Sequence, residues 1–124
     1  MYTMTDRGTS PTFSLSPQRV ADVFYEMHTL CENELELSMQ QKNLISLGYL
    51  LYANPDNILL IGALEWTNPE MLLEVHQLML KVCEQAHAVL KRKKLRPSIQ
   101  TQNEYSAVRQ LIEQKSQLFA PAWA

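Results

Sequence analysis

Glycine is scarce in this chain, with three in 124 residues, and there are only two cysteines and three histidines. Two cysteines cannot build a disulfide framework, and with no signal peptide they point to a reducing compartment. No Gly-rich phosphate loop, nucleophile elbow or HExxH pair occurs, so the signatures of nucleotide binding, serine hydrolysis and zinc proteolysis are all missing. The longest apolar run, ILLIGAL at 58–64, falls far short of the roughly 20 residues that span a bilayer. A net charge of −2 supplies no global attraction to nucleic acid or to anionic membranes. The expectation is a soluble cytoplasmic protein that contacts no membrane, needs no cofactor and is not an enzyme.

What is present favours helix. Hydrophobic residues make up 46% and charged residues 19%, a globular balance. Leu, Met, Glu and Gln are abundant, and such unbranched side chains lose little rotamer freedom in a helix. Residues 1–15 are Ser-, Thr- and Pro-rich without a periodic stripe and read as a flexible arm. Residues 16–120 then form a single helical domain, and 121–124 a short apolar tail carrying Trp123. The fold class is all-α, a small bundle of four to five helices.

The first helix opens with Ser16 as N-cap and Pro17 in first position. Val20, Phe24, Met27 and Cys31 repeat at helical spacing. Glu34 then interrupts, so Leu35 and Leu37 must carry the contact, and a kink, a partner surface or the helix end is expected near 40–43. Residues 44–66 form two apolar runs around the turn signal NPDN. Leu and Ala outnumber Val and Thr there, which favours a helix–turn–helix, with a β-hairpin as the alternative.

The strongest element follows from about residue 69 to 94, started by a Thr67/Glu70 capping box or by Asn68 before Pro69. Leu72, Val75, Met79, Val82, Ala86 and Val89 give its stripe. Leu73, Leu78, Leu80 and Leu90 widen the arc to about half the circumference, so it must be contacted on more than one side. Pro97 stops it. Thr101 and Glu104 then read as a capping box for a last helix on Tyr105, Val108, Leu111, Ile112, Leu118 and Phe119.

Three surfaces are candidates for function. His28 with Cys31 and Cys83 with His87 have i,i+3 and i,i+4 spacing, which allows two halves of a Cys₂His₂ zinc site between helices. His76 lies two turns from Cys83 and is excluded from it. Against this, both cysteines fall in apolar stripes, where free Cys behaves as a small buried hydrophobe. The basic patch Lys91, Arg92, Lys93 and Lys94 suits phosphate contact and so a DNA-associated regulator. Cations are also favoured at any helix C-terminus, and no aromatics are interleaved for base stacking. The acidic run from Asp22 to Glu36 reads as a solvated face, its charge complementary to that basic end, in this chain or in another.

The third surface is apolar. Tyr49, Tyr52, Trp66, Leu73, Leu80, Phe119 and Trp123 are anchor candidates, since aromatics bury much area with few rotors. The working surface is then the third helix with segment 49–66. The function expected is binding to another protein, as a regulator that occludes a transcription factor (an anti-activator), an adaptor or a chaperone. A homodimer is expected to cover the spare apolar surface.

Overall fold

A computed structural model describes residues 15–54 and 69–119. Its elements are α1 (Pro17–Cys31), a 3₁₀ turn (Glu32–Glu34), α2 (Met39–Ala53), α3 (Pro69–Arg92) and α4 (Ile99–Phe119). The fold is all-α, with no strand among the described residues. None of the described helices is long and apolar enough to cross a membrane. The expected N-terminal arm, Trp66, the capping residues Thr67 and Asn68, and the tail with Trp123 lie outside the described residues.

Helix α1 starts as its sequence dictates. The Ser16 hydroxyl accepts from the Arg19 N–H at 3.2 Å, satisfying one of the donors that open a helix, and Pro17 needs no partner. Val20, Phe24, Met27 and Cys31 are all buried. The helix ends at Cys31, well before 40–43, and the reason lies downstream. Ser38 caps a new helix: the Gln41 N–H donates to its hydroxyl at 3.1 Å, and its own N–H donates to Gln41 Oε1 at 2.9 Å. This reciprocal box makes a fresh start at Met39 more favourable than continuing α1. Leu35 and Leu37, in the connecting segment, pack partly buried on the core.

Residues 44–53 are helical, which rules out a hairpin strand over that stretch. Helix α2 stops at Asn54, whose φ of −132° suits a residue preceding proline, and whose N–H and side-chain amide both donate to the Leu50 carbonyl. Gly48 is buried on the side facing α3. A Cβ there would lie 2.6 Å from Met79 Sδ and 2.8 Å from Val75 Cγ1. Only a residue without a side chain permits this approach of the two helices.

Helix α3 is the central element, contacted by α1, α2 and α4. Leu72, Val75, Leu78, Met79, Val82, Cys83, Ala86 and Val89 are buried. Each large aliphatic side chain so placed contributes about 1.5–3 kcal/mol through area removed from water. His76, which is not a member of the stripe read from the sequence, is buried too, with Nδ1 2.7 Å from the Leu72 carbonyl and its ring 5.6 Å from that of Tyr52. The helix closes in a Schellman motif. Lys94 takes φ 56°, its N–H donates to the Lys91 carbonyl and the Leu95 N–H to the Leu90 carbonyl, which satisfies two orphan acceptors.

Helix α4 opens on Ser98, not on the Thr101/Glu104 box the sequence suggests. The Thr101 N–H donates to the Ser98 hydroxyl at 3.1 Å. Glu104 is thereby released for another partner: Arg19 grips it with two bonds, Nε to Oε2 at 2.9 Å and Nη2 to Oε1 at 2.5 Å. The Glu104 carboxylate is buried, so this fork ties α4 to the first turn of α1. Val108 and Ile112 complete the core, whereas Leu118 of the expected stripe is exposed.

Candidate functional site

An apolar groove of about 460 Å³ runs between α1 and α2. Helix α1 supplies Phe24, Tyr25 and His28, and α2 supplies Ile45, Ser46, Tyr49 and Leu50. The two sets repeat one spacing: i, i+1 and i+4 on α1 are matched by 45, 46 and 49 on α2. On each helix the first member turns into the core and the second faces outward, because successive residues are about 100° apart. Phe24 and Ile45 are therefore the buried floor. Tyr25, 60% exposed, and Leu50, 48% exposed, are the rim.

The walls are ordered by ring contacts. His28 stacks on Phe24 with centroids 6.5 Å apart and planes within 12°. Tyr25 meets Tyr49 edge to face at 6.1 Å across the two helices. Such pairs hold aromatic side chains in place and contribute about 0.5–1.5 kcal/mol each beyond their burial. The rim is thus presented by side chains already positioned, which lowers the entropy cost of binding. Met39, also exposed, lies seven residues before Ser46 on α2 and extends the apolar strip along that face.

The residues singled out from the sequence are distributed unevenly. Tyr49 lines the groove, but Tyr52 points into the core. Leu73 and Leu80 are half-buried on α3 and lie outside the groove. The side chain of Phe119 is outside the described residues, as are Trp66 and Trp123. Tyr25 and Leu50 were not anticipated. Tyr25 falls off the stripe of α1, and an aromatic on the polar side of an amphipathic helix was the signal for it.

His28, Cys31, Cys83 and His87 do not converge on a metal site. No group of three or more His, Cys, Asp or Glu among the described residues is arranged to hold an ion. Spacings of three and four leave side chains roughly 40–60° apart around the helix, enough here to separate each pair. Cys31 and Cys83 face the core while His87 is exposed, and His28 turns toward α2. The Cys31 thiol lies against the Val82 carbonyl at 3.7 Å. Burial pushes the thiols up, Cys31 to about 11 and Cys83 to about 12. Neither is an activated nucleophile at neutral pH.

Lys91, Arg92, Lys93 and Lys94 are exposed at the end of α3. Arg92 is turned back on the fold, donating to both Glu34 oxygens at 2.6 and 2.5 Å. The acidic run and the basic end therefore meet within one chain, through Glu34. Compared with protein-family models, with curated proteins and with solved structures, the chain matches none.

Proposed function

We propose that this chain is a non-enzymatic binding protein that docks an apolar segment of another protein in the groove between α1 and α2. The observation that carries the reading is the pairing of a preformed apolar groove with exposed Tyr25 and Leu50 on its rim. A groove of about 460 Å³ is the size of a small-molecule pocket, about 300–1,000 Å³, and has room for a few apolar side chains of a partner. Its lining spans about one turn of each helix, residues 24–28 and 45–50, which suits two apolar side chains at i and i+3 or i+4 of a docked amphipathic helix. A regulator that occludes a transcription factor, an adaptor and a chaperone all work by such docking. The working surface of this reading is the α1–α2 face, which shares Tyr49 and Leu50 with the expected segment 49–66.

The test uses the full chain as bait in its native host, beside a Tyr25→Asp/Leu50→Asp variant. Both positions are exposed, so the cost should be little more than that of the Tyr25–Tyr49 contact, about 1–2 kcal/mol, and the fold should survive with a melting temperature lowered by several degrees. A partner retained by the wild type and lost by the variant supports the groove. A partner retained by both places binding elsewhere. Sedimentation at rising concentration distinguishes a second copy as the occupant: self-association abolished by the same two substitutions makes the groove a homodimer interface.

A further inference from the structure

We propose that the turn between α3 and α4 is a peripheral contact for an anionic lipid surface. Residues 91–96 carry five cations, and no acid occurs between Glu84 and Glu104. Glu34, the acid that reaches this end of α3, is already held by Arg92. Lys91, Lys93, Lys94 and Arg96 are exposed, and none of the ion pairs among the described residues includes them. The chain's net charge of −2 conceals this: outside the turn, six cations stand against thirteen acids. An anionic surface is therefore repelled by the rest of the molecule and attracted at one place, so approach is oriented.

Charge alone would suit any polyanion, and two side chains decide between them. Leu95 is 47% exposed and Ile99 76% exposed at the same turn. A phosphate backbone offers nothing to an exposed aliphatic residue, and the turn has no aromatic for stacking on bases. A bilayer offers both a layer of negative headgroups and, just beneath, apolar chains. The turn is also well defined. The Schellman motif with Lys94 at φ 56° and the Ser98 cap fix the backbone on either side of Leu95, so the exposed aliphatic residues and the cations are carried on one ordered turn. This contact is independent of the α1–α2 groove.

The experiment is co-sedimentation of the full chain with phosphatidylcholine vesicles, with and without about 30% phosphatidylserine. Binding is expected only to the anionic vesicles, at least tenfold above the neutral ones, and it should vanish when salt shortens the screening length to about 3–5 Å. Lys91→Gln/Lys93→Gln/Lys94→Gln/Arg96→Gln should weaken it about a hundredfold or more, since each cation near such a surface is worth about fivefold. Ile99→Ser, at an exposed position that leaves the fold intact, should weaken it several-fold without changing salt dependence. Equal partition into both vesicle types, or binding unaffected by the fourfold variant, overturns the proposal. A duplex DNA arm that binds more tightly than the vesicles and ignores Ile99→Ser overturns it too, and makes the partner nucleic acid.

Discussion

The Tyr52 hydroxyl is buried without a hydrogen-bond partner among the described residues, and burial pushes its phenol well above the ordinary range. A buried hydroxyl left unpaired costs about 1–3 kcal/mol in lost hydration. Tyr52→Phe keeps the ring and its contact with His76 while removing that cost. The variant is expected to be more stable by about 1 kcal/mol, a rise of a few degrees in melting temperature. A thermal melt showing a loss instead would mean that the hydroxyl is bonded. The inward direction of Tyr52 was not legible in the sequence. LISLGYLLYA, at 44–53, is apolar almost throughout, so periodicity has no polar face from which to set the phase of the helix. Tyr49 and Tyr52 look equivalent as letters, yet one lines the groove and the other the core.

Elements that carry charge between their apolar residues were legible for the same reason. In α3 every member of the main stripe is buried, because Glu, Gln and Lys mark the outer face between them. Helix starts were harder. Ser38 and Gln41 form a capping box that the drifting pattern ENELELSM masks, and at α4 two plausible caps, Ser98 and Thr101, compete within one turn. The choice of Ser98 is linked to Glu104, which pairs with a residue 85 positions away. No local rule reaches that far. Gly48 shows the opposite bias: by propensity a glycine inside a helix is a liability of about 1 kcal/mol, whereas in the fold it is where α2 and α3 touch. Gly48→Val should cost about 1–3 kcal/mol by overpacking against Val75 and Met79. Urea unfolding will check this; a gain in stability would mean that the helices separate freely at this contact.

Across the whole molecule, acid should unfold the bundle in two stages. Burial lowers the His76 pKa from its ordinary 6.5, with Lys115 acting in the same direction. A histidine depressed in the folded state contributes stability above pH 6.5, which is lost as pH falls through its lowered value. Arg19 holds the Glu104 carboxyl below its ordinary 4.5, and Arg92 does the same to Glu34. Their contribution is present above pH 4.5 and lost as pH falls further. Melting temperature should therefore be flat from about pH 6.5 up to the ordinary thiol value of 9.0, above which the raised Cys31 and Cys83 make it fall. On the acid side it declines first through His76, then through the two carboxylates. His76→Leu should erase the upper stage and leave the lower one. A profile unchanged by that substitution would remove His76 from the account.

The two thiols give the bundle a built-in clock. Cys31 closes α1 and Cys83 sits mid-way along α3, both shut away from solvent and both protonated near neutrality. A maleimide cannot reach either until its surroundings open, so alkylation in native buffer proceeds at the pace of opening and not of chemistry. Mass spectrometry of the two alkylated peptides would then time two places in one molecule. Matching rates would mark a single cooperative event, and an earlier Cys31 would reveal the end of α1 peeling away while α3 stays folded.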